Sequence, residues 1–214
     1  MDHLTIIDEA AKYVKHKLFD FQEGGHDWLH TYRVWQTTKS LAIHTKCNKT
    51  VAELGALFHD IADAKFTNGD ETIAIKLTEN WLQQEKLEKN IISAVLHIVK
   101  HVSWRKQYKY DALNYPELAI VQDADRLDAI GAIGIARAFS YGGFAKRPII
   151  VPASEANQLN GIEDTISHFY EKLLHIKDSL HTEHARALAH ERHEFMLQFL
   201  NQIHKEVSLS SHDY

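Results

Sequence analysis

An all-α chain is predicted by three observations: apolar residues recurring at helical spacing, little β-branched alternation, and only three prolines, Pro116, Pro148 and Pro152, gathered in two segments. Proline interrupts helix interiors and central strands, so its confinement leaves long stretches open to helix. The 214 residues are 44% hydrophobic and 25% charged, a balance that suits a globular helical bundle and argues against disorder or a fibrous repeat.

The elements follow in order. Leu4, Ile7, Ala11, Val14 and Leu18 mark a first helix, ended near Glu23-Gly24-Gly25, where two glycines supply a C-cap and a turn. His26 to about Thr45 reads as a second helix, with Cys47-Asn48-Lys49 as a loop after it. Thr50 and Glu53 then fit the capping box, in which hydroxyl and carboxylate satisfy the free amides of a helix start. Val51, Leu54, Gly55, Phe58 and Ile61 form the buried face of this third helix. Further helices are predicted over roughly Glu71 to Gln84, Leu87 to Val102, Glu117 to Phe139, Ile162 to Ser179 and Thr182 to Glu206, with Asn160 and Glu163 as a second capping pair. The stretches Ser103 to Pro116 and Ser140 to Gly161 are long connections, a kind of loop that is more often functional than idle. No linker, low-complexity tract or internal repeat divides the chain, so the expectation is one domain over 1–214, with a core of about 6–206 and a polar tail at 207–214.

Composition narrows the function. A single cysteine, Cys47, permits no internal disulfide and no thiolate zinc cage, which points to a reducing compartment. The N-terminus lacks a basic stretch followed by an apolar core, and the longest apolar run, Ala129 to Ala136, is far short of the ~20 residues of a membrane helix. A cytoplasmic protein without membrane contact is expected. A net charge of −5 gives no broad reason to bind polynucleotide.

The 16 histidines are the feature to be sorted. His-Asp pairs occur at His26, His59 and His212, and the dipeptide alone is weak evidence. His212 lies in the polar tail. His59-Asp60 ends an apolar helix along the small-residue row Ala52, Ala56, His59. In D-W-L-H-T-Y-R-V, His30 shares one helix face with Asp27, a carboxylate able to orient it, and with Arg33, a guanidinium able to hold a phosphate. Asp123, Asp125 and Asp128 fall within six residues of an apolar helix on which Gly131 and Gly134 follow; these glycines suggest close helix packing, so the acids are more than a solvated face. Neutral imidazoles and carboxylates on rigid elements are the donors that metal-assisted phosphate chemistry needs.

These strings resemble the HD-domain superfamily of metal-dependent phosphohydrolases, whose pattern is His, then His-Asp, then a distant Asp. The resemblance assigns His30 in D-W-L-H-T-Y-R-V, His59 and Asp60 in L-F-H-D-I-A-D-A-K-F, and Asp125 in D-A-D-R-L-D-A-I-G as four metal ligands. With A-R-A-F-S-Y-G-G, H-F-Y-E-K-L-L and A-H-E-R-H-E-F-M it extends over roughly Ile6 to Glu206 and is closest to small bacterial single-domain members. What that subgroup implies is pyrophosphohydrolysis of nucleoside triphosphates. A nucleotide phosphomonoesterase, a cyclic phosphodiesterase and a non-catalytic nucleotide-sensing or protein-binding module are the alternatives.

Four such ligands on a six-coordinate ion leave two positions for water and a phosphate oxygen; nitrogen donors rank Mn²⁺ ahead of Mg²⁺ and Fe²⁺. Asp60 and Asp63 are the expected catalytic carboxylates, with Asp63 also able to pair with Lys65. Arg33 and Lys65 are the expected substrate contacts, with Arg126 and Arg137 behind them. Tyr141-Gly142-Gly143 reads as a plain turn ahead of the alternative, a stretch whose backbone amides approach a phosphate. The loop with Trp104, Tyr108, Tyr110 and Tyr115 among Arg105, Lys106 and Lys109 suits ordinary packing or a lid over a nucleotide. His97 and His101 have the i,i+4 spacing of ligands to a second metal. His181, His184, His190 and His193 belong to a charged terminal helix and are expected to be solvated, with packing open to His193.

Overall fold

The structure is a computed structural model; it describes residues 3–18, 27–62, 70, 72–103, 114–151 and 163–209. It is all-α, with no strand among the described residues. The chain forms two compact units, Met1–Asp125 and Arg126–Tyr214. No helix of the described residues is long and apolar enough to cross a membrane.

The first unit holds α1 (His3–Leu18), α2 (Trp28–Leu41), α3 (Lys49–Phe58), α4 (Thr72–Gln84), α5 (Lys89–His101) and most of α6 (Pro116–Asp128). At its centre is α3, packed against α1, α2 and α5. The sequence assigns α3 one buried face, yet every residue from Val51 to Phe58 is buried. Neighbours surround this helix, and Gly55 lets α5 approach so closely that a Cβ would stand 2.6 Å from Ile98 Cδ1. The expected capping box is not formed. Asn48 caps α3, its side chain accepting from the Val51 N–H at 3.3 Å. Thr50 and Glu53 serve a different network, in which Trp35 Nε1–H donates to Glu53 Oε2 at 2.8 Å.

The second unit holds α7 (Gly131–Phe144), α8 (Thr165–Glu171), a 3-10 helix (Leu173–Ser179) and α9 (Glu183–Leu209). The predicted Glu117 to Phe139 helix is two helices. The break comes after Asp128, where Ile130 turns extended and Gly131 takes φ +75°. Arg137 closes the break, its Nη1 donating to Asp128 Oδ2 at 2.7 Å. A left-handed backbone costs an L-residue about 1–2 kcal/mol, and a Cβ at Gly131 would lie 2.9 Å from Arg192 Cγ. Gly131→Ala is therefore expected to lower unfolding stability by at least about 1 kcal/mol, read as an earlier urea midpoint at constant slope; an unmoved midpoint would refute this account of the break.

Two more boundaries differ. Helix α7 runs through Tyr141-Gly142-Gly143, which is not a turn, and ends where Lys146 adopts φ +55° and the Arg147 N–H reaches the Gly142 carbonyl at 2.8 Å. Gly142 is required because a Cβ there would meet Thr165 Oγ1 at 2.3 Å. The predicted Ile162 to Ser179 helix begins only at Thr165, capped by Asp164, and tightens into 3-10 geometry after Glu171. Burial pushes the Asp164 carboxyl up, but the N–H groups of Ser167, Val151 and Ile166 carry it below its ordinary value. Asn160, of the expected capping pair, lies outside the described residues.

Candidate metal centre

Each donor is placed by a local feature of its helix. Asp27 ends the approach to α2 in extended conformation and accepts the His30 backbone N–H at 2.8 Å. This fixes the first turn of α2. Asp27 thus holds the His30 main chain, whereas the sequence suggests a carboxylate orienting the imidazole. The His30 side chain is fully buried. His59 is the C-cap of α3, where the last carbonyls have no helical partner. Its Nδ1–H uses one of them, donating to the Ala56 carbonyl at 2.7 Å. That bond sets the tautomer and leaves the Nε2 lone pair for another task. Asp60 follows at once, and Asp125 stands on α6 near the end of the first unit.

The donor atoms converge. His59 Nε2 lies 3.3 Å from His30 Nε2. Asp60 Oδ2 is 3.4 Å from His30 Nε2 and 3.5 Å from His59 Nε2. Asp125 Oδ1 is 3.4 Å from the first imidazole nitrogen and 4.0 Å from the second. Ligands about 2.0–2.2 Å from one ion stand roughly 3–4 Å apart, so these separations suit a shared cation. The imidazoles are buried while the carboxylates keep partial exposure, 20% for Asp60 and 31% for Asp125, so the carboxylates are the side of the cluster that solvent reaches. Among the described residues, His30, His59 and Asp60 are the one cluster of three or more such donors close enough to one another to hold a metal.

The other expected site residues part company. Arg33 sits half-buried on α2, within a turn of His30. Asp63 and Lys65 lie outside the described residues. Arg126 follows Asp125 by one residue, about 100° around the helix. Its Nη1 donates to the Ser179 carbonyl at 2.5 Å and to His181 Nε2 at 2.9 Å, so this nitrogen braces the second unit. Arg137 is likewise engaged by Asp128. Asp123 is fully buried. His101 Nδ1–H donates to the His97 carbonyl at 2.9 Å, and the His97 ring lies 4.3 Å from that of Tyr115. Burial, reinforced by Lys100, pushes the His97 imidazole down.

The terminal histidines are divided. His190 is exposed as expected, whereas His193 is buried with its Nε2 3.1 Å from Lys177 Nζ. Spacing does not signal the roles of Glu53 and of the Ala56 carbonyl. The second is within reach of sequence reasoning, since a histidine at a helix end has free carbonyls one turn behind it.

The chain is similar to several known proteins. The HD domain family model matches residues 28–130. The uncharacterised protein YpgQ of Bacillus subtilis strain 168 is 36% identical over 212 residues, covering 97% of this chain and 96% of that protein. The crystal structure of Bacillus subtilis YpgQ in complex with ADP superposes with a TM-score of 0.76 at 33% identity, over 94% of this chain and 97% of that one. A structure described as an HD-superfamily hydrolase from Bacillus thuringiensis gives 0.77 at 37% identity, over 97% and 99%.

Proposed function

The chain belongs to the HD-domain family, and from that premise we propose that it is a metal-dependent phosphohydrolase that hydrolyses nucleoside triphosphates to a monophosphate and pyrophosphate. The observation that carries the reading is the convergence of His30, His59, Asp60 and Asp125, with the His59 tautomer set by Ala56. Those four side chains would hold one divalent ion, Mn²⁺ first by its affinity for nitrogen donors, with Mg²⁺ and Fe²⁺ behind. Such an ion supplies Lewis acidity, neutralising charge on a phosphoryl oxygen and lowering the pKa of water.

The protein's own groups do the rest. The two carboxylates oppose the charge of the ion and, being partly exposed, face the approach of substrate. In this reading Arg33 holds phosphate oxygens beside His30, and Asp63 and Lys65 belong to the same site. The reaction needs no protein nucleophile: water attacks the α-phosphorus, the bond to the bridging oxygen breaks, and pyrophosphate leaves. Nucleotide as the substrate class is supported by the ADP bound to the Bacillus relative. A bound diphosphate also suits an enzyme that removes a terminal phosphate, so the bond cleaved is the point to test. Incubation of the purified protein with Mn²⁺ and a panel of nucleoside triphosphates, followed by phosphorus NMR, is expected to give monophosphate and pyrophosphate in equal amounts. Orthophosphate as the sole released product would overturn the pyrophosphohydrolase reading, and release of no product would favour a nucleotide-binding module.

A further inference from the structure

We propose that Glu53 is a positioning residue for the metal centre, acting through Trp35 to set the offset of α2 against α3; the inference rests on the metal reading of His30, His59 and Asp60. Glu53 belongs to a helix whose other buried residues are apolar, and it is only 7% exposed. A buried carboxylate is costly unless its oxygens are satisfied, and both are. Oε2 accepts from Trp35 Nε1–H at 2.8 Å, and Oε1 accepts from His3 Nε2–H at 3.2 Å. His3 is itself held by Thr50, whose hydroxyl lies 2.7 Å from Nδ1. One carboxylate therefore ties α1 and α2 to the central helix.

The geometry relates this tie to the donors. His30 and His59 meet at one end of the α2 and α3 pair, and Trp35 and Glu53 meet farther along it. Trp35 is five residues beyond His30, and Glu53 is six residues before His59. These are about 7.5 and 9 Å of helix rise, so the two helices run antiparallel here and the Trp35–Glu53 bond pins the same sliding coordinate that sets the separation of the imidazoles. Metal coordination tolerates errors of only about 0.2 Å, whereas apolar packing alone permits small slips. A directional bond between two buried groups removes that freedom.

The test compares Glu53→Gln, which keeps an acceptor for the indole, with Glu53→Leu and Trp35→Phe, which remove the bond. Mn²⁺ binding is measured by calorimetry at low temperature, where circular dichroism shows each variant folded. Partners hydrogen-bonded directly to a metal ligand are worth 10–100-fold in affinity; for a contact that acts one step removed the lower end is expected, so Glu53→Leu and Trp35→Phe should bind Mn²⁺ about tenfold more weakly. Glu53→Gln should stay within about threefold of the parent. The double variant Glu53→Leu with Trp35→Phe should lose no more than the worse single one. Long-range proton–nitrogen NMR of the metal-free protein carries the same comparison without an ion: the His30 and His59 ring nitrogens should shift in Glu53→Leu and stay in place in Glu53→Gln. Unchanged resonances and unchanged affinity in Glu53→Leu, with only a lower melting temperature, would overturn the proposal. Shifted resonances in Glu53→Leu, with a parent that binds no Mn²⁺, would sustain the positioning role and overturn the metal reading instead.

Discussion

Asp60→Ala is expected to abolish metal binding and phosphate hydrolysis together. Asp60 Oδ2 stands within 3.5 Å of both imidazole nitrogens; its removal takes away a carboxylate that would balance the charge of a divalent ion. Metal-assisted charge stabilisation is worth several kcal/mol in the transition state, so hydrolysis should fall by at least about a thousandfold. Fold is not the cause, because the side chain is 20% exposed and lies beyond the end of α3. Linkage provides a second readout. An ion at about 100 times its dissociation constant stabilises the native state by ~2.7 kcal/mol, so Mn²⁺ should raise the melting temperature of the parent and leave that of Asp60→Ala unmoved. Activity retained in this variant would refute the mechanism.

The same residues show what a sequence can and cannot disclose. Helices α1 to α5 are legible because apolar positions recur at helical spacing along them. The break between α6 and α7 is not legible. The apolar run Ala129 to Ala136 continues the helical pattern through it, and Gly131 reads equally well as a packing glycine and as a left-handed one until φ is known. The end of α7 is hidden for the reverse reason: Lys146 takes the left-handed position that glycine usually supplies, while Gly142 is spent on contact with Thr165. At the candidate site, His30, His59, Asp60 and Asp125 are singled out in the sequence through resemblance, since a single His-Asp pair carries little information. Local spacing errs where one residue has two possible partners. Glu53 fits a capping box with Thr50 but turns inward to Trp35, and Arg126 neighbours Asp125 but projects from a different side of the helix.

Phe58→Ala should separate scaffold from site. Phe58 is fully buried at the end of α3 and stacks in a tilted cluster with Trp81 of α4 and Tyr13 of α1, at centroid distances of 5.2 and 6.1 Å. Truncating such a ring removes its transfer free energy and leaves a cavity, a loss of about 3–5 kcal/mol. In a chain of this size that lowers the melting temperature by roughly 6–20 °C, and Phe58→Leu, which refills part of the space, should lose less. His59 is the next residue, but about 100° around the helix, where its Nε2 faces His30 of α2 and its Nδ1 is held by Ala56. The aromatic cluster supports α3 from the side of α1 and α4, so the donors keep their partners as long as the chain is folded. At low temperature the Phe58→Ala variant should bind Mn²⁺ within a few-fold of the parent, and saturating Mn²⁺ should restore part of its melting temperature by linkage. Asp60→Ala is its converse, with stability kept and metal lost. Affinity and stability falling in parallel in Phe58→Ala would instead mean that the metal centre is assembled only by the full packing of α3 on all its neighbours.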